Sequence, residues 1–154
     1  MIDSHAHLNY PDFHGSVNEI INRAKNVGVD GVVSICTKLE EIPEIKCYPN
    51  MLNQVFMNIL INACHSIKGK GTITVSTNFK NNILTVKIKD TGSGIDEQIK
   101  EKLFTPGFTT KKSGIGSGLG LAISQKIVEK HNGKIYFESQ KGVGTEFVIE
   151  IPSV

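Results

Sequence analysis

Apolar residues recur along this chain in two rhythms. Leu52, Val55, Phe56, Ile59, Leu60, Ala63 and Ile67 fall at helical spacing. They predict a long amphipathic helix, with Asn50 a plausible N-cap and Gly69-Lys70-Gly71 closing it. The rhythm then changes to alternation. Thr72–Asn78 and Ile83–Lys89 read as two strands around a Lys80-Asn81-Asn82 turn, an antiparallel hairpin. A glycine-rich segment from Asp90 to Gly120 follows, with a short helix expected near Glu97–Leu103. A second long helix is expected from about Gly118 to His131, with Leu119, Ala122, Ile123, Ile127 and Val128 inward and Asn132-Gly133 as its stop. Two last strands, Lys134–Ser139 and Thr145–Ile151, flank Gly142-Val143-Gly144.

Upstream, residues 2–8 read as a short strand. Ser16 precedes a helical pattern of Val17, Ile20, Ile21 and Ala24 that Gly28 ends, and Val29–Cys36 reads as a buried strand. The polar stretch TKLEEIPEIKCYPN, with its two prolines, is the candidate seam. The expectation is therefore an α+β fold over 42–154, extended by a β-α-β unit over 1–41. The larger part reads as a two-layer α/β sandwich, a mixed and mostly antiparallel sheet with helices on one face.

Composition narrows the function classes. At 154 residues the chain has room for one good core but not for two ordinary domains. A net charge of +2 gives no electrostatic case for nucleic acid as the partner. Cys36, Cys47 and Cys64 form no CxxC pair, which fits reduced, packed thiols in a cytoplasmic chain. No apolar run approaches the roughly 20 residues a membrane span needs. No signal peptide is evident.

Four local features carry candidate chemistry. Asn58 and Asn62 lie one turn apart on the first long helix, and an amide oxygen suits Mg²⁺. In KDTGSGID, Asp90 ends a strand, and Gly92 and Gly94 let backbone approach a flat ligand. In LFTPGFTTKK, Phe104 and Phe108 bracket a Pro-Gly turn. Their rings can cover a base or simply anchor the loop, and Lys111 or Lys112 can reach phosphate oxygens. In SGIGSGLGLAIS, Gly114, Gly116, Gly118 and Gly120 alternate before the second long helix, an arrangement suited to anions. Each feature alone is weak. The glycine loop also lacks the Gly-Lys-Ser/Thr of a P-loop.

In this order the four resemble the N, G1, F and G2 boxes of the histidine-kinase catalytic and ATP-binding domain. That domain belongs to the ATPase group shared with DNA gyrase, the Hsp90 chaperones and MutL. LNQVFMNILINA, DTGSGI, LFTPGFTTK, GSGLGLAIS and GVGTEFVIEIP carry the resemblance, over about residues 42–152. It implies a Bergerat-type ATP-binding fold and ATP with Mg²⁺ as cofactors. By resemblance, Asn62 holds Mg²⁺ against the phosphates, and Asn58 stands where hydrolysing relatives carry a water-activating glutamate. Asp90 meets the adenine amine, Gly92 and Gly94 admit the base, and Thr145 joins through its hydroxyl. Gly116, Gly118, Leu119 and Gly120 wrap the phosphates, and about Thr105 to Gly116 forms a lid from which Lys111 reaches them. His65 is a further polar candidate nearby. No residue is assigned as a nucleophile. The acceptor is a histidine on a separate dimerisation domain, and its motif is absent around His14, His65 and His131. A response regulator is the implied downstream partner.

The opening MIDSHAHLNYPDF, with GVDGVVSICTKLEE after it, resembles the start of TatD-type metal-dependent deoxyribonucleases over about residues 1–41. His5 and His7 match that family's first-strand metal pair. A barrel of that kind needs about 250 residues and further ligands, so the pair reads as vestigial and nuclease activity is not expected. The whole reads as a fusion, and a recombinant or selected chimera fits better than a natural gene. VDGVVSIC is expected to replace a missing edge strand or to exchange between two chains of a homodimer. A non-catalytic product whose first segment only completes a fold or dimer is the alternative.

Overall fold

The structure, a computed structural model, describes residues 2–6, 31–34, 45–110 and 117–153. It divides into two compact units, Met1–Leu39 and Glu40–Val154. In the first, β1 (Ile2–Ala6) pairs in parallel with β2 (Gly31–Ser34), Ile2 opposite Gly31. The expected strand over Val29–Cys36 is thus seen as β2, paired with β1. His5 lies on β1. His7, His14, Cys36 and the expected helix after Ser16 lie outside the described residues.

The second unit is an α+β sandwich. Helix α1 (Pro49–Ser66) starts two residues earlier than an Asn50 cap would place it, with Tyr48 as N-cap. Pro49 explains this: its fixed φ suits the first helical position, where no N–H partner is needed. The Tyr48 carbonyl takes the amides of Met51 and Leu52 at 3.0 and 3.1 Å. Leu52, Val55, Ile59 and Ala63 form the buried stripe.

Four strands follow: β3 (Ile73–Lys80), β4 (Ile83–Asp90), β5 (Lys134–Gln140) and β6 (Gly144–Pro152). They make a wholly antiparallel sheet in the order β3-β4-β6-β5. The β3–β4 turn uses Asn81 and Asn82 at φ +54° and +59°, as a two-residue primed turn requires. Ile88, Phe147 and Phe137 stand opposite one another across three strands. They close on α1 and on α3 (Gly120–Lys130), whose Ile127 and Val128 complete the core. Each such side chain contributes roughly 1.5–3 kcal/mol by burial.

Helix α2 (Glu97–Lys100) is shorter than its pattern suggested, and turns carry the chain on to Phe104. Helix α3 begins at Gly120 rather than near Gly118. It ends in a Schellman motif: Asn132 sits at φ +54°, and Asn132 and Gly133 donate back to Glu129 and Val128 at 2.9 Å each. His131 does more than face the helix dipole. It is buried, its Nδ1 lies 2.8 Å from the Ile127 carbonyl, and its Nε2 accepts the Tyr48 amide at 3.0 Å. The ring is therefore neutral with its proton on Nδ1, and it ties the end of α3 to the start of α1. Among the described residues no helix is long and apolar enough to cross a membrane.

Candidate functional site

Asp90 is the last residue of β4 and is only 4% exposed. Its Oδ1 accepts the Ser66 hydroxyl at 2.9 Å and the Gly92 amide at 2.8 Å. Its Oδ2 receives no hydrogen bond from the described residues. A buried carboxylate so arranged has one oxygen fixed and the other available to an outside donor.

Thr145 stands directly opposite Asp90 in the β4–β6 ladder and is also buried. Its hydroxyl lies 2.9 Å from Ser139 Oγ. Ser139 already accepts the Ile95 amide and donates to the Gly144 carbonyl, so Thr145 is the donor of this pair. With its proton so committed, Thr145 Oγ1 presents only lone pairs to a ligand. Asp90 and Thr145 together therefore favour a donor group, such as an exocyclic amine.

The loop after Asp90 is held from two sides. Ser93 donates its amide to the Ser66 carbonyl at 3.0 Å and accepts the Gly142 amide at 2.7 Å. Gly92 is buried, and a Cβ there would lie 1.8 Å from Ser66 Oγ, so only glycine fits. Asp96 caps α2 through the Gln98 amide and pairs with Lys141. The Lys141 hydrogen bond, the Gln98 amide and the lysine's charge hold the Asp96 carboxyl below its ordinary range.

Asn58 and Asn62 are both half-buried on α1. Asn58 Nδ2 donates to the Gly120 carbonyl at 3.0 Å and to Ser124 Oγ at 3.2 Å, and Ser124 in turn donates to Gly120 at 2.8 Å. This network pins the start of α3 to α1. Asn62 and the exposed His65 lie further along α1, each with a partner of its own. Burial raises the Cys64 thiol pKa on the same helix, which argues against a nucleophilic thiolate there.

The start of α3 has no side-chain cap, and Leu119, its N-cap, is 43% exposed. Its first amides therefore lack helical acceptors and suit an anion. Gly118 sits at φ +67°, where a Cβ would come within 2.5 Å of the Gly107 carbonyl carbon. The Gly107 amide donates to the Gly118 carbonyl at 3.0 Å, which sets the Phe108 turn beside this helix end. Phe104 packs against Phe137, centroids 6.0 Å apart, in the position of a loop anchor; Phe108 is half-buried. Lys111, Lys112, Gly114 and Gly116 lie outside the described residues.

Helix α1 thus joins two ends of one site. Ser66 meets Asp90, Gly92 and Ser93 at one end. Asn58 meets Gly120 two turns earlier, about 12 Å along the axis. The sequence alone does not single out Ser66, Ser124 or Ser139. Nothing in the spacing marks them, because their partners are on distant segments.

An α/β sandwich with an acceptor pair at one end of a helix and an uncapped helix start at the other has the groups that suit a nucleotide. Residues 47–154 match the family described as histidine kinase-, DNA gyrase B-, and HSP90-like ATPase, and the chain belongs to that family. Its matched part is a kinase-type ATP-binding domain. The signal transduction histidine-protein kinase AtoS of Escherichia coli (strain K12) is 35% identical over 150 residues, covering 96% of this chain and 24% of that protein. Sporulation kinase E of Bacillus subtilis (strain 168) is 42% identical over 116 residues, covering 74% of this chain and 15% of that protein. The chain thus spans a quarter or less of the length of these relatives. Among solved structures, the catalytic domain of histidine kinase ThkA superposes with a TM-score of 0.63 at 34% identity, over 71% of this chain and 70% of that one.

A second family, TatD related DNase, matches residues 2–89 and so overlaps the first over 47–89. In that overlap the structure shows α1 and the antiparallel β3–β4 hairpin, whereas a TIM barrel is built of parallel strands. The AtoS match, at 96% of the chain, also reaches well before residue 42.

Proposed function

We propose that this chain binds ATP·Mg²⁺ as the catalytic domain of a sensor histidine kinase and transfers the terminal phosphoryl group to a histidine supplied by another domain or chain. The observation that carries this reading is the Asp90 carboxylate, with Oδ1 doubly held and Oδ2 available, beside an acceptor-only Thr145. That pair receives the adenine amine, while Gly92 and Gly94 shape the turn beside it, where a Cβ would strike Ser66 or the Gln140 carbonyl. The amides of Leu119, Gly120 and the residues after them receive phosphate oxygens. Asn62 would hold Mg²⁺ through its amide oxygen, and bound Mg²⁺ supplies charge neutralisation on the phosphates. Phe108 and Lys111 are proposed contacts from the lid side, with Gly116 and Gly118 in the phosphate loop. Phe104 is proposed to support that side by anchoring the turn.

Asn58 supports transfer over hydrolysis. Its amide cannot take a proton from water, and its Nδ2 is engaged by Gly120 and Ser124. The parent system would then be cytoplasmic, with a response regulator downstream. Labelled ATP and a separately made acceptor domain test the reading: phosphohistidine should appear on that domain. No transfer, with ATP bound, would contradict it.

A second reading concerns residues 1–41, which the TatD match favours as a nuclease-derived segment. On that reading, His5 and His7 are a remnant of a metal site and the segment serves the fold or a dimer. Among the described residues no group of three histidine, cysteine or acidic side chains could hold a metal ion. Deleting 1–41 should lower solubility or melting temperature; no change would refute a structural role.

A further inference from the structure

We infer that Ser66 is a positioning residue that sets the nucleobase selectivity of Asp90. The inference rests on the proposed role of Asp90 in receiving an exocyclic amine. Ser66 closes α1, and three separate contacts run from it to the end of β4 and the residues just after it. Its hydroxyl lies 2.9 Å from Asp90 Oδ1. Its carbonyl, one of the acceptors a helix end leaves unpaired, takes the Ser93 amide at 3.0 Å. Its Oγ fills the space that a Cβ on Gly92 would need, 1.8 Å away.

The hydroxyl has one proton and two acceptors within reach, Asp90 Oδ1 at 2.9 Å and the Ala63 carbonyl at 2.8 Å. A carboxylate accepts more strongly than a peptide carbonyl, so the proton goes to Asp90. Oδ1 then has two donors, Ser66 from the helix side and Gly92 from the loop side. The carboxylate cannot turn without losing one of them. Oδ2 is thereby held in a fixed place as an acceptor, on a residue directly opposite Thr145 in the ladder. Such an oxygen favours a base with an amine at that position over one with a carbonyl, whose lone pairs would face it.

A purely structural role makes a different forecast. If Ser66 only ended the helix through Ala63, replacing it would weaken every nucleotide alike. Selectivity separates the two. ATP and inosine triphosphate differ at the purine 6-position, amine against carbonyl, and share the same triphosphate. Their affinities are measured by calorimetry on the full chain, unaltered and as Ser66→Ala, with melting temperature as the check on folding. Ser66→Cys, nearly isosteric with a weak donor, replaces the alanine variant if that one does not fold.

The unaltered chain should prefer ATP. The variant should narrow that preference by about tenfold, the worth of one hydrogen bond to a charged group, with inosine triphosphate affinity nearly constant. Equal losses for both nucleotides, or an unchanged preference, would overturn the role of Ser66 and leave that of Asp90 standing. No preference for ATP in the unaltered chain would overturn both.

Discussion

Asn58 on the first long helix donates its side-chain amide to the carbonyl of Gly120, at the start of the second, across 3.0 Å. The bond joins positions far apart in the chain, and fully buried Ser124 shares it. The amide therefore has a structural duty that a carboxylate cannot perform. Asn58→Asp places an acceptor against the Gly120 carbonyl and should cost about 1–3 kcal/mol, the range for an unmade buried hydrogen bond. Urea unfolding of the two chains checks this, and an Asn58→Asp variant as stable as the parent would contradict the clamp.

Gly118 should tolerate no side chain. At φ +67° and with the Gly107 carbonyl in the way, Gly118→Ala must move backbone, not a flexible side-chain tip. A loss of roughly 1–3 kcal/mol is expected from the strained conformation. Because Gly118 shapes the start of α3, triphosphate affinity should fall while adenosine affinity holds. Calorimetry with ATP and adenosine reads the difference.

His131 should contribute through its hydrogen bonds more than through its bulk. In His131→Phe the ring contact with Tyr48, 5.5 Å between centroids, can persist, but the Ile127 carbonyl and the Tyr48 amide lose their partner. A cost of about 1–3 kcal/mol is expected, measurable as a lower urea midpoint with unchanged slope.

Asp96 gives the account a pH signature. Its folded pKa is depressed, first by the Lys141 hydrogen bond. The stability it adds is therefore present above the pKa of an unfolded aspartate, and it is lost as pH falls through the lower folded value. Carbon-detected NMR titration should show the Asp96 midpoint rising toward the ordinary aspartate value in Lys141→Ala. An unmoved midpoint would mean that the lysine is not the cause.

The sheet and both long helices are legible in the chain because burial period encodes them: alternation along β3 and β4, and three- and four-residue steps along α1 and α3. Asp90 and the glycines leave local marks, a strand end and special backbone, whereas Thr145 is named only through the family resemblance. What spacing does not encode is pairing between distant segments. Ser66 reaches Asp90 and Asn58 reaches Ser124 only once the helices pack. The same holds for His131, whose second partner is Tyr48, and for Phe104, whose ring rests on Phe137. The start of α1 differs from the Asn50 expectation for a local reason: Asn50 is a good cap by type, but Pro49 is already a good first residue.

The proposed contact between Asp90 and the amine of ATP is tested most directly by removing the charge on Asp90. In Asp90→Asn, Ser66 and Gly92 can still donate to the remaining carbonyl oxygen, while the new amide turns a donor toward the ligand's own donor. Titration calorimetry with ATP and Mg²⁺ should show affinity falling by at least about tenfold in a variant that remains folded. Equal affinity in the two chains would contradict the account.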